Sequence, residues 1–264
     1  AGVISPWSII PHSTPGFWKN IPKLMLTGWR PLSVCANTLP YLIPWGLKFI
    51  SQGTTAKTRN IADTMSLLCS PSIDLSRKLL NGTGQESLVK DSSYLHLVKN
   101  EKDATLDDLG YQIRLQKGAN IEIVKGSELR VLEPALSSKF ESAIVTHNVA
   151  RCLSPGRLGT VLTEKAKAQG SEIVKDQILE INREEDHWSL RGKKYKYNSK
   201  FLVISAGVWS REVLSNIGVS VPLMSERGYH IHCAEPEIDL RNLVVYSDGG
   251  VIASSMEGGL RLAG

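Results

Sequence analysis

The spacing of apolar side chains predicts helices in the first third of the chain. Between residues 57 and 81, apolar side chains recur every three or four positions from Ile61 to Leu79, which indicates a helix with a break at Pro71. Residues 20–50 are predicted to form shorter helical pieces, because four prolines interrupt them. The first third of the chain is therefore expected to be largely helical.

Shorter apolar runs predict strands and further helices in the rest of the chain. Strands are expected at residues 94–98, 121–124, 172–174, 178–181 and 260–264, and helices at residues 105–116, 127–132, 154–170 and 212–217. The residues at 187–190 and 194–197 predict a small pair of antiparallel strands after the strand at 178–181. This mixture of strands and helices favours an α/β or α+β fold.

A continuous apolar run at residues 201–204 has a different pattern. It is bounded by polar residues, which predicts a strand buried on both faces. The small residues Ser205, Ala206 and Gly207 follow at once, and the next segment is predicted to be helical. The succession of strand, small-residue turn and helix is how an open α/β sheet presents a ligand site at its strand ends.

Composition narrows the class of protein. The 264 residues are 42% hydrophobic and 22% charged, which excludes wholesale disorder and allows one large domain or two ordinary ones. A formal net charge of +5 is a mild excess that does not imply binding to nucleic acid. The four cysteines are far apart and lack a metal-binding spacing, so a reducing, cytoplasmic location is expected.

The charge is unevenly distributed. Residues 1–62 contain no Asp or Glu, but they contain six Lys or Arg residues and four Trp residues. A basic, Trp-rich segment fits a surface that rests on anionic lipid headgroups, and it equally fits a helical layer packed on the rest of the protein. The most apolar part, residues 39–50, is too short and too interrupted to span a membrane.

Several sequence motifs are absent. The segment at residues 82–87 lacks the third glycine of a dinucleotide fingerprint and follows a predicted helix, so it is rejected. His230 and His232 are two apart on a presumed strand and point the same way. No third ligand is nearby in the sequence, so ordinary polar strand residues are favoured and no metal is predicted.

The order of several short segments provides a resemblance. These segments are Ala1–Pro6, Val131–Leu136, Ser205–Ser210, Val221–Leu223, Arg227–Tyr229 and Gly258–Gly264. Together they resemble the D-amino-acid oxidase-like superfamily of FAD-dependent oxidoreductases, and within it the bacterial D-amino-acid dehydrogenases. Each segment is weak alone, but their order and spacing are specific for the superfamily.

The resemblance implies a two-domain architecture of which only part is present. Residues 1–90 and 146–221 would form an incomplete FAD-binding domain with three layers. Residues 91–145 and 222–264 would form an incomplete substrate domain with a mixed, largely antiparallel sheet. The Gly-x-Gly-x-x-Gly segment that binds the FAD pyrophosphate is expected before Ala1, and a flavin-binding segment, often with a substrate-binding arginine, is expected after Gly264. The chain would then be the middle of an enzyme.

The resemblance also assigns candidate cofactor contacts. They are Gly2, Val3 and Ile4 beside the isoalloxazine ring, Ile178 near the adenine, and Ala206, Gly207 and Trp209 at a strand end. Glycine at position 2 would let the backbone approach a flat cofactor, and the small Ala206 and Gly207 would leave the crevice open. A plain turn glycine, a buried strand residue and a core tryptophan are the structural alternatives.

Candidate substrate contacts follow the crossing into the second domain. By resemblance, Arg227, Tyr229, His230 and Tyr246 are candidate substrate contacts, and an arginine or tyrosine there would hold the carboxylate of an amino acid. A surface arginine and a half-buried tyrosine are the alternatives. The implied chemistry requires an oriented substrate with a neutral amine, so no general base and no other catalytic residue is assigned.

The implied activity is oxidation of a D-amino acid by hydride transfer from Cα to flavin N5. The imino acid would then hydrolyse to a 2-oxo acid and ammonia. A glycine- or sarcosine-type amine oxidase is one alternative, and a non-catalytic α/β fragment that binds no flavin is another. The 264-residue chain alone is expected to bind FAD weakly or not at all.

The electron acceptor is also left open. An oxidase would pass electrons to oxygen, whereas a dehydrogenase would use another acceptor, and the resemblance suggests a membrane quinone. Residues 7–50 would then contact the inner face of the membrane peripherally.

Overall fold

The computed structural model describes residues 2–19, 36–225 and 227–264. Contacts divide the chain into two compact units. Unit 1 comprises residues 1–165 and 228–264, and unit 2 comprises residues 166–227. The domain boundaries inferred from the resemblance stay a prediction.

The described residues contain the following regular elements. The helices are α1 (Leu39–Ser51), α2 (Thr55–Cys69), α3 (Ser72–Leu80), α4 (Leu109–Gln116), α5 (Gly126–Leu132), α6 (Pro155–Ala168) and α7 (Ser210–Ser215). The strands are β1 (Val3–Ile4), β2 (Val89–Val98), β3 (Ile121–Lys125), β4 (Ser142–Cys152), β5 (Ile178–Arg183), β6 (Trp188–Gly192), β7 (Lys196–Ser199), β8 (His230–Cys233), β9 (Leu243–Tyr246), β10 (Val251–Met256) and β11 (Gly259–Ala263).

Unit 1 is built on an eight-stranded mixed sheet. Its strand order is β1-β4-β2-β9-β10-β11-β8, and β3 also pairs with β4. Every pairing is antiparallel except that of β2 with β9, which is parallel. The mixed, largely antiparallel sheet expected from the sequence is therefore confirmed.

The two faces of this sheet differ. One face, called the core face, carries buried Leu95, Val145, Val244 and Leu260, which pack with Leu129 of α5 in one hydrophobic cluster. Successive residues of a strand point to opposite sides. Residues one position along the same strands therefore lie on the opposite side, called the second face.

The helices at the start of unit 1 follow the predicted pattern with one difference. Helix α2 ends next to Pro71, where the break was expected, and Pro71 caps α3. Helix α1 tolerates Pro40 because this residue lies in the first turn, where no N–H partner is needed. The helix also continues through Pro44, although an interior proline removes one backbone hydrogen bond. The part of the prediction on residues 20–35 lies outside the described residues.

No helix in the described part of the chain is both long and apolar enough to cross a membrane.

Unit 2 contains a three-stranded antiparallel sheet in the order β5-β6-β7. The predicted pair of antiparallel strands corresponds to β6 and β7 and is confirmed. The turn between them is closed by Asp176, whose carboxylate accepts hydrogen bonds from Lys194 N and the Tyr197 hydroxyl.

The prediction of a doubly buried strand at residues 201–204 is wrong for the described structure. Phe201 and Val203 are 78% and 84% exposed, and the segment belongs to no strand. Residues 172–174 likewise form no strand. An apolar run is buried only where a neighbouring strand and a covering layer are available, and no strand among the described residues pairs with this run.

Candidate functional site

The predicted cofactor residues of unit 1 begin at a tightly packed glycine. Gly2 has φ +100°, and a Cβ there would lie 3.2 Å from the Cys152 carbonyl oxygen and 3.3 Å from Met256 Cε. The Cys152 amide donates a hydrogen bond of 2.6 Å to the Gly2 carbonyl. Both the backbone conformation and the available space therefore require glycine.

Val3 and Ile4 are held at one end of the sheet. They form β1 and lie opposite Arg151 and Ala150 of β4. In the part of the chain that the structure describes, β1 is the terminal strand of the sheet. Its backbone can therefore approach a flat cofactor, as the resemblance implies.

The turn of the β10–β11 hairpin packs at the same end of the sheet as β1. The Glu257 amide donates to the Leu153 carbonyl at 3.0 Å, and Arg157 forms an ion pair with Glu257 at 2.6 Å. These contacts hold the hairpin turn at the end of β4, which places Met256 against Gly2. Gly2, the end of β4 at Cys152 and the β10–β11 turn at Met256 thus meet at one end of the sheet in unit 1. This region is called the edge at Gly2.

A buried arginine supports this edge, and sequence reasoning missed it. Arg151 is 5% exposed, and its Nη1 donates to the carbonyls of Leu240 at 2.7 Å and Ser255 at 3.2 Å. Desolvation lowers the pKa of Arg151, while Asp239 and Glu133 oppose that effect. An arginine inside the apolar run of β4 was the available signal for a buried structural cation.

The predicted cofactor residues of unit 2 are at least partly exposed to solvent. Gly207 has φ +57°, and a Cβ there would meet no atom within 4 Å. Ala206 is half-buried and Trp209 is exposed. Ile178 begins β5 opposite Gly192.

The predicted substrate residues are distributed over both units. Arg227 is exposed and is the last residue of unit 2. Tyr229 and His230 belong to unit 1, where the Tyr229 carbonyl accepts a hydrogen bond from Gly264 N at 3.2 Å. His230 lies opposite Ala263, on the second face.

Tyr246 lies on the other side of the same sheet. Its neighbour in the strand alternation, Val244, belongs to the core cluster. The Tyr246 ring packs edge-on against Phe140 at 5.3 Å, and Lys99 Nζ lies 5.3 Å from its centroid. The sheet therefore places Tyr246 and His230 on opposite faces.

A polar cluster positions the segment that follows β1. His96 of β2 lies edge-on to Tyr111 of α4 at 6.1 Å, and Arg114 Nε donates to the Trp7 carbonyl at 2.9 Å. Burial lowers the pKa of His96 to about 4 and raises the pKa of Tyr111 to about 12. Both groups are therefore neutral near pH 7, and neither is suited to exchange protons there.

No group of three or more His, Cys, Asp or Glu side chains in the described residues is arranged to hold a metal ion. Of the two histidines on β8, His232 directs Nε2 to the Gly258 carbonyl at 2.6 Å.

Comparisons with known proteins found a matching family profile and related proteins. Residues 27–264 match the profile of a family described as FAD-dependent oxidoreductases. The chain is 28% identical over 273 residues to a D-amino-acid oxidase of Bradyrhizobium diazoefficiens, covering 100% of this chain and 63% of that protein. It is 21% identical over 244 residues to D-amino acid dehydrogenase 2 of Mesorhizobium japonicum, covering 87% of this chain and 56% of that protein.

Solved structures show the same fold. Glycine oxidase from Geobacillus kaustophilus aligns with a TM-score of 0.62 at 17% identity, covering 100% of this chain and 59% of that one. An L-amino acid deaminase from Proteus vulgaris aligns with a TM-score of 0.61 at 18% identity, covering 76% and 54%. This chain therefore spans less than two thirds of the length of each of these proteins.

Proposed function

Since the chain belongs to the family of FAD-dependent oxidoreductases, we propose that the full-length protein oxidises a D-amino acid to its imino acid. The imino acid then hydrolyses to a 2-oxo acid and ammonia. The observation that carries this proposal is the match of the whole chain, at 28% identity, to a protein named D-amino-acid oxidase.

The roles of individual residues follow from their shapes and charges. By resemblance, the backbone at Gly2 in unit 1, and separately the small residues Ala206 and Gly207 in unit 2, are candidate contacts of the cofactor. When bound, the cofactor accepts the hydride removed from the substrate Cα. By resemblance, Arg227 in unit 2 and His230 in unit 1 are candidate contacts of the substrate.

The test is anaerobic reduction of the flavin in the purified full-length protein. At least one D-amino acid is expected to bleach the flavin absorbance, whereas its L-enantiomer leaves it unchanged. Bleaching by glycine or sarcosine alone would instead favour the amine-oxidase alternative. Bleaching by an L-amino acid alone would contradict the proposal, as would flavin that no amino acid reduces.

We also propose that the enzyme passes its electrons to a membrane quinone and contacts anionic lipid through residues 7–50. Helix α1 supports this contact, because none of its residues is buried and Tyr41 and Leu47 are 72% and 66% exposed. Lys19 and Lys48 add positive charge, and no acidic residue precedes Asp63. Apolar side chains with flanking lysines are typical of an interfacial helix.

Lipid binding can be tested by sedimentation of the full-length enzyme with anionic vesicles. Binding is expected at low salt and release at high salt, because each basic residue contributes about 1 kcal/mol that salt screens. Changing Ile43 and Leu47 to Glu should abolish binding and leave turnover with a soluble dye acceptor unchanged. Val131→Glu, at an exposed position of α5, is the matched control.

A charge reversal tests the electrostatic part separately. Replacing Lys19, Lys23 and Arg30 with Glu is expected to weaken vesicle binding; Lys23 and Arg30 lie outside the described residues. Wild-type protein that ignores anionic vesicles even at low salt would refute the membrane contact.

A further inference from the structure

Unit 1 contains a chain of three hydrogen-bonded side chains that is separate from the candidate cofactor and substrate residues. Ser93 Oγ lies 3.1 Å from His147 Nδ1, and His147 Nε2 lies 2.7 Å from Glu122 Oε1. A serine, a histidine and a carboxylate joined in this order correspond to a nucleophile, its base and the group that orients the base. The three residues belong to β2, β4 and β3, so only the pairing of these strands brings them together.

A β-bulge places His147 beside Ser93. Between two regular pairs of the β2–β4 ladder, β2 contributes one residue, Ser93, and β4 contributes two, His147 and Asn148. Asn148 has φ +55°, a left-handed conformation that asparagine adopts more readily than most residues. Bulges change the direction of a side chain and are common next to active sites. This bulge accounts for an imidazole that faces the serine of the neighbouring strand.

The backbone around this contact is held in place. His147 N donates to the Asn120 carbonyl at 3.0 Å, and the His147 carbonyl accepts from Trp7 Nε1 at 3.1 Å. Ser93 N donates to Asn242 Oδ1 at 3.0 Å. A nucleophile and its base need such preorganisation, because small displacements lower the rate strongly.

The hydrogen bonds determine which nitrogen of His147 can act as a base. An ionised carboxylate only accepts hydrogen bonds, so the Glu122 contact places the imidazole proton on Nε2. Nδ1 then carries a lone pair and accepts from the Ser93 hydroxyl. The side chains of His147 and Glu122 are 26% and 57% exposed, and Ser93 is half-buried. The chain of side chains is therefore open to solvent.

We propose that these three residues form a second, hydrolytic site, which cleaves small uncharged acyl esters and does not depend on the flavin chemistry. Ser93 Oγ attacks the ester carbonyl carbon while its proton passes to His147 Nδ1. That proton passes on to the departing alcohol, and the acyl group stays on Ser93. Water then adds to the acyl carbon and gives a proton to His147. The bond to Oγ breaks, the proton returns to Oγ, and the carboxylic acid leaves.

The test is hydrolysis of 4-nitrophenyl acetate by the flavin-loaded full-length protein. This ester is uncharged, so Glu122 does not repel it. Because a positioned base contributes about 10²- to 10⁴-fold, Ser93→Ala and His147→Gln are each expected to lower kcat about 100-fold. Ser92→Ala, at the neighbouring half-buried position of β2, is the matched control and should keep the wild-type kcat. Equal hydrolysis by the wild type and Ser93→Ala would overturn the proposal.

Glu122→Gln tests the positioning role of the carboxylate. The amide can donate to Nε2, which moves the imidazole proton to Nδ1 and blocks the hydrogen bond from Ser93. kcat is expected to fall about 10-fold or more, with KM and melting temperature unchanged. A wild-type kcat in this variant would contradict the three-residue arrangement.

A fluorophosphonate identifies the nucleophile directly. Diisopropyl fluorophosphate is expected to bond to Ser93 Oγ with release of fluoride, and mass spectrometry of peptides locates the label. The label should be stoichiometric in the wild type, absent from Ser93→Ala and slower to form in Glu122→Gln. Wild-type protein without a label on Ser93 would overturn the proposal. Protein that is labelled on Ser93 but oxidises no D-amino acid would support this site and refute the proposed function alone.

Discussion

Replacing Gly207 with leucine in the full-length protein is expected to abolish flavin binding and leave the protein folded. A side chain at Gly207 would enter open space, because a Cβ there meets no atom within 4 Å. By resemblance, that space is the volume of the cofactor. For a leucine, the left-handed φ of +57° adds a backbone cost of only about 1–2 kcal/mol. The variant should therefore still fold while it loses flavin binding.

Gly218→Leu is the matched control for this prediction. Gly218 belongs to the same unit, has φ +78° and has no atom within 4 Å of a built Cβ. The two variants therefore share the added side chain and a similar backbone strain. Flavin absorbance per protein is expected to be near zero for Gly207→Leu and unchanged for Gly218→Leu. Equal flavin content in both variants would show that Gly207 does not border the cofactor.

Replacing Glu133 with alanine is expected to lower the free energy of unfolding of unit 1 by about 2–4 kcal/mol. Glu133 is 0% exposed, and its Oε2 accepts hydrogen bonds from Asn242 N at 2.8 Å and Asn242 Nδ2 at 3.3 Å. Asn242 Oδ1 in turn accepts from Ser93 N at 3.0 Å, at the irregularity in the β2–β4 pairing. Alanine would leave this connection between α5, β9 and β2 without its acceptor.

Glu133→Gln provides the comparison in urea denaturation of the full-length protein. Glutamine keeps an acceptor oxygen for Asn242 and nearly the same volume, so its loss of stability should be well below that of Glu133→Ala. Equal stability of the wild type and Glu133→Ala would show that this buried contact does not hold unit 1 together.

Elements with a strong local pattern were predicted correctly. The expected break at Pro71 separates α2 from α3, and the short runs near Ile123 and Leu262 lie within β3 and β11. Here the local pattern was sufficient, because a proline or an alternation of apolar residues restricts the backbone whatever lies around it.

The apolar run at Phe201 shows the limit of such reasoning. Its composition is that of a buried strand, but burial needs a partner from elsewhere in the fold, and the described residues provide no strand for it. The same limit applies to Arg151, whose hydrogen-bond acceptors at Leu240 and Ser255 are about 90 to 100 positions away in the chain.

The sequence alone therefore determined the family resemblance, the mixed α/β class and the identity of the small residues, because these depend on residue type and order. Only the tertiary structure decided which candidates share a surface. The strand register places His230 on the second face and Tyr246 on the core face. Because a shift of one residue would exchange the two faces, only the long-range pairing of β8, β9, β10 and β11 could decide this.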